Sequence, residues 1–151
     1  MTDLLAPDDH VPPKNADETE GVAQDENDYC VLHVSISGTE VGWLAWSGDS
    51  YLAIVQERVD ATGFRFGTSG PDYILPPFGD SSQRGLGISR YTTAQFYLPE
   101  NWWSKFQLTN GYLQCLTNMQ YLGVKTPDDP YSAYVYAWNA YEALQIERKT
   151  R

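Results

Sequence analysis

Histidine and cysteine are the scarcest of the side chains that could do chemistry in this 151-residue sequence, with two copies each. His10 closes the triplet "DDH", a weak metal contact at most, and a short polar run of that kind is ordinarily solvated. His33 alternates with Ser35 in "YCVLHVSISG". Side chains two apart on a strand lie roughly 6.5 to 7 Å apart, beyond a nucleophile–base hydrogen bond, and the sequence has no G-x-S-x-G elbow. Asp49, Asp72, Asp80 and Glu100 could converge as a carboxylate pair for glycosidic cleavage. That chemistry needs a set separation and one raised pKa, and sequence spacing supplies neither. "QRGLGIS" has neither the GK[ST] of a phosphate-cradling loop nor a full G-x-G-x-x-G, and it leads into a strand rather than a helix. Cys30 and Cys115 are too few for a disulfide scaffold, too far apart for a zinc knuckle, and both lie on apolar faces. They read as buried, reduced thiols. No catalytic residue, metal ligand set or cofactor is assigned.

Aromatic side chains are the real excess: 5 Trp, 11 Tyr and 5 Phe. They gather in "ENWWSKFQLTNGYLQCLTNMQYLGV" (100–124) and in "YSAYVYAWNAY" (131–141). On a helix, Trp102 and Trp103 point about 100° apart and Tyr134 and Tyr136 about 200° apart. A helix that is aromatic on all sides wants cover from more than one direction, and in a small domain some of it must come from another chain. Tyr and Trp tolerate such half-wet interfaces. Trp102, Trp103, Tyr134, Tyr136 and Trp138, with Tyr73, Phe78 and Arg84 from a Gly/Pro-rich loop, are therefore the expected interface residues. The rival reading is a stacking platform for a glycan or small ligand, since aromatic faces accept sugar rings.

The elements that must position these residues are legible as follows. "YCVLHVSISG" alternates and returns through "SGTE" as "VGWLAW", a hairpin over 29–47. "YLAIVQERV" and "FRFG" continue a meander, 67–87 is a long loop, and "ISRYTTAQFYL" (88–98) is a fifth strand. From Pro99 the apolar spacing of three and four predicts a helix to about 122, with Gly123 just past its end. Asp129 and Pro130 then open a second helix over about 130–149. The expected fold is α+β: an antiparallel sheet of about five strands (29–98) with two C-terminal helices on one face. No internal repeat stands out.

Charge divides the chain. Residues 1–28 hold nine acids and Lys14 as the one base, with no aromatic residue. This reads as an acidic arm preceding a single domain, 29–151. Bases elsewhere are scattered, which argues against direct nucleic-acid contact. No window approaches the roughly 18 apolar residues of a membrane span, and "MTDLLAPDDH" does not read as a secretory signal. Cytoplasmic synthesis follows as an expectation. The functional expectation is a non-enzymatic assembly subunit contacting other protein subunits, specifically a virion accessory protein. A glycan or small-ligand binder is the first alternative, and a small acidic inhibitor or immunity-type protein the second.

Overall fold

The computed structural model describes residues 29–67, 70–77 and 83–150. The acidic segment 1–28, Phe78 and Asp80 lie outside the described residues. Among the described residues twelve strands follow in order: β1 (Tyr29–Ile36), β2 (Thr39–Trp46), β3 (Leu52–Val55), β4 (Phe64–Arg65), β5 (Gly85–Ile88), β6 (Ala94–Tyr97), β7 (Phe106–Thr109), β8 (Tyr112–Cys115), β9 (Gln120–Val124), β10 (Val135–Ala137), β11 (Glu142–Ala143) and β12 (Gln145–Thr150). Among the described residues, helix is confined to single 3₁₀ turns such as Glu100–Trp102 and Pro130–Ser132.

Antiparallel pairings form a nearly closed barrel. β1 pairs with β12 on one side and β4 on the other. Bridges Arg65–Leu75 and Asp72–Phe106 carry the ring through an extended segment to β7. β7 pairs with β8, and β8 meets β12 where Gln145 faces Tyr112. Three hairpins, β2–β3, β5–β6 and β9–β10, pack onto this ring and share its core. They also bridge one another, through Tyr51–Gln95 and Thr93–Tyr136.

The plan repeats three times. The carbonyls of Leu44, Leu86 and Leu122 accept from the N–H of Thr62, Ser104 and Leu144 at 3.2, 3.0 and 2.9 Å. Two residues beyond each donor comes a buried Phe64, Phe106 or Ile146. Between the first two units the buried residues keep one offset of 42 positions: Leu32 and Ile74, Leu44 and Leu86, Leu52 and Ala94, Ile54 and Phe96, Phe64 and Phe106. Their turns correspond too. Ser47 Oγ accepts from the N–H of Asp49 and Tyr51, and Ser89 Oγ from that of Tyr91 and Thr93. Ser50 and Thr92 then share a left-handed φ, 71° and 66°. Each unit thus lends two strands to the ring and one hairpin to a cap, which is the connectivity of a β-trefoil. The repeat escapes a reading for sequence identity because it keeps burial and turn geometry rather than residue types.

The expected α+β architecture with two C-terminal helices is overturned: both segments are strands. Phe106, Leu113 and Cys115 are buried on two alternating strands joined at Asn110–Gly111. Those two residues have φ of 51° and 87°, the two-residue hairpin turn that Asn-Gly favours. Two period-2 stretches offset across a two-residue turn counterfeit spacings of three and four. Gly123 is no helix cap: a Cβ there would lie 2.7 Å from the Glu142 carbonyl, so it admits the close approach of β11. In the last segment Val135 and Ala137 are fully buried while Tyr134 and Trp138 are exposed, which is strand alternation. Two strand boundaries also move. Residues 89–93 are a hairpin turn rather than strand, and the expected long loop contributes Asp72 and Leu75 to the ring.

Candidate functional site: a tyrosine groove where the hairpins meet

Alternation explains the site. Tyr51, Thr93 and Tyr134 each directly precede the first buried residue of an outgoing hairpin strand, namely Leu52, Ala94 and Val135. They are thus equivalent positions of the three units, and all three line one concavity of about 530 Å³. Tyr51 and Tyr134 stack with ring centroids 4.6 Å apart and planes 29° apart. Tyr136 stands edge-on to Tyr134 at 6.3 Å and to Tyr141 at 5.1 Å. Gln95 and Tyr97 from β6 form the opposite wall, with the Tyr97 hydroxyl 3.4 Å from Gln95 Oε1. Ser89, Arg90 and Tyr91, at the tip of the β5–β6 hairpin, complete the rim. A second cavity of about 340 Å³ adjoins the first, lined by Arg90, Tyr91, Thr92, Trp138 and Tyr141. The Arg90–Tyr91 tip borders both, the guanidinium carbon lying 5.7 Å from the Tyr91 ring centre.

Two of these phenols, Tyr97 and Tyr136, are held in their neutral form. Burial, and then the neighbouring Tyr51, pushes Tyr97 up to about 12. Burial, then Tyr141 and Tyr134, raises Tyr136. Both hydroxyls therefore remain hydrogen-bond donors throughout the neutral range.

Of the residues expected at an interface, Tyr134 and Tyr136 line the main groove and Trp138 the adjoining cavity. Trp102 and Trp103 stand behind the wall rather than on it. Trp102 lies edge-on to Tyr97 at 5.0 Å, and the Trp103 indole N–H donates to the Tyr97 carbonyl at 2.6 Å. Two glycines make this possible. A Cβ at Gly85 would lie 2.3 Å from the Trp103 ring, and one at Gly87 would lie 2.3 Å from the Trp102 carbonyl oxygen. The paired glycines of "RGLGI" thus make room for the Trp103 indole and the Trp102 backbone. Tyr73 packs edge-on to Trp103 at 5.5 Å, with the Lys105 ammonium 5.5 Å over its own ring. Half-buried Arg84 precedes Gly85 and is not part of the groove, and Phe78 lies outside the described residues.

Sequence reasoning missed Tyr51, Arg90, Tyr91, Gln95 and Tyr97. The available signal was the pair of serine-led turns, "SGDSY" and "SRYTT", 42 positions apart. The acids do not converge here: Asp49 sits in the β2–β3 turn and Glu100 in a 3₁₀ turn. Asp72 accepts from the N–H of Gly67 and Tyr73, both at 2.8 Å, as a turn-forming side chain. His33 packs edge-on to Trp43 at 4.7 Å. Cys30 and Cys115 are free and buried. Among the described residues no group of three or more His, Cys, Asp or Glu is placed to hold a metal, and no helix is long and apolar enough to cross a membrane. Comparison with family models, with curated proteins and with solved structures finds no match. The trefoil connectivity therefore rests on the strand pairing itself.

Proposed function

We propose that the protein is a binding protein that holds a saccharide in the tyrosine groove of its cap and performs no chemistry on it. One observation carries this reading: three hairpins deliver five tyrosines to one concavity, interleaved with the neutral polar groups of Ser89, Thr93 and Gln95. Aromatic faces cover the apolar C–H face of a pyranose, while neutral phenols and amides satisfy its hydroxyls. The volume of about 530 Å³ lies within the range of small-ligand sites. The assembly subunit expected from sequence depended on a helix that was aromatic all round, whereas β10 and its flanks set Tyr134, Tyr136 and Trp138 on one face. Docking of another protein subunit remains a second reading, favoured by the exposure of Tyr91 (73%), Tyr134 (50%) and Trp138 (43%).

Titration of the full chain against a panel of oligosaccharides, read by calorimetry, tests the proposal. At least one sugar class is expected to bind. Tyr134→Ala should weaken that binding by tenfold or more while leaving the melting temperature within a few degrees, because the ring is half exposed and removing it opens no core cavity. A chain that binds no sugar and elutes as an oligomer dispersed by Tyr134→Ala supports the second reading instead.

A further inference from the structure

Resting on that saccharide reading, we infer that the ligand is an anionic oligosaccharide, spanning both cavities and setting a carboxylate or sulfate on Arg90. Three observations converge. The two cavities, about 530 and 340 Å³, lie side by side and share the Arg90–Tyr91 tip as a border, so a chain of rings that crosses this tip would reach both. Arg90 is, among the described residues, the only charged one lining either cavity. Among the described residues its guanidinium has no carboxylate partner; it lies 5.7 Å from the centre of the Tyr91 ring, a contact that leaves its charge unneutralised. An arginine held between two neutral aromatic cavities offers bidentate donors matched to a planar carboxylate or a sulfate, and a neutral sugar leaves that charge without a counterpart. Tyr91, the most exposed aromatic ring described, stands where successive sugar rings would pass from one cavity to the other. The chain carries a formal charge of −10, so long-range attraction does not account for anion binding, and the preference must arise at this one cation.

The test uses the full chain with matched probe pairs: uronate oligosaccharides against their methyl esters, sialylated against desialylated chains, and sulfated against desulfated ones. The expected result is an affinity about tenfold higher for the anionic member of at least one pair, the scale of one charge-assisted hydrogen bond. Arg90→Gln should erase that difference, Arg90→Lys should keep part of it, and added salt should shrink it. The pair that responds distinguishes carboxylate from sulfate as the source of the anion. Equal binding of both members of every pair, with Tyr134→Ala abolishing it, overturns the anionic assignment and leaves the groove reading standing. Absence of binding to every probe, with Arg90→Gln and Tyr134→Ala indistinguishable from the parent chain, overturns both.

Discussion

At the scale of single residues, the groove depends on what stands behind it. Tyr97 forms its wall only because Trp102 and Trp103 brace it, and these fit only because positions 85 and 87 carry no Cβ. Gly85→Ala should therefore destabilise the protein by about 1–3 kcal/mol, the usual cost of overpacking, and shift the tryptophan emission as Trp103 is displaced. Gly111→Ala is the contrasting case. Its Cβ would meet nothing within 4 Å, but φ is 87°, so the loss should be about 1 kcal/mol with the emission unchanged. Urea denaturation followed by fluorescence separates the two. Tyr97 also predicts a pH dependence. Its pKa is about 12 in the folded chain against the ordinary 10.0 of tyrosine, so between those limits the native state keeps a proton that the unfolded state has released. Stability must then fall as pH rises from 10 to 12 and be indifferent to this group below 10. Tyr97→Phe should flatten that slope in urea midpoints measured across the window. The contribution will be reduced by solvent screening, since the phenol is only partly buried.

At the scale of elements, the first hairpin was legible because its alternation is long and its turn is short, and it is present as β1 and β2. The two expected C-terminal helices fail for different physical reasons. In the first, a strand pair with a two-residue turn mixes even spacings with one odd step, and the sum mimics a helix. In the second, Asp129 and Pro130 open only the single 3₁₀ turn Pro130–Ser132. The Asn110–Gly111 pair carried the decisive local information, since a two-residue turn with two left-handed residues is compatible with a hairpin and not with a helix. The misreading altered the functional inference as well. A helix scatters Tyr134, Tyr136 and Trp138 around its circumference, whereas a strand sets them on one face at every second residue. The sequence thus singled out Tyr134, Tyr136 and Trp138 with the wrong geometry, and the residues that face them from the other two hairpins are distant in sequence. Tyr51 lies 83 positions before Tyr134, and only the closure of the barrel makes them stack. The element-scale prediction is that Asn110→Ala, which loses a residue tolerant of φ 51°, weakens the fold by about 1 kcal/mol without altering sugar binding, because the β7–β8 turn contributes nothing to the groove.

At the scale of the whole molecule, the threefold plan separates what the fold requires from what the site requires. The β2–β3 and β5–β6 turns have the same serine-anchored geometry, yet the first carries Gly48 and Asp49 where the second carries Arg90 and Tyr91. Since Ser89 Oγ and the left-handed Thr92 hold the turn, the two residues between them are free to differ. Transplanting the first turn's pair into the second, as Arg90→Gly with Tyr91→Asp, should therefore preserve the fold. Both side chains are exposed, so the expected change is within about 0.5 kcal/mol of the parent, apart from the added flexibility of one glycine. Function should not survive the exchange. The double variant removes the border shared by the two cavities, takes away the Arg90 guanidinium, and puts a carboxylate where an anionic sugar would lie. Calorimetric titration with the responding oligosaccharide should detect no binding, while thermal unfolding monitored by circular dichroism stays close to that of the parent chain. A variant that unfolds would mean that Arg90 and Tyr91 are structural, and a variant that still binds would place the ligand elsewhere on the barrel. The equivalence of the two turns makes those results readable, because the molecule already contains a folded copy of the transplanted sequence in the same backbone geometry.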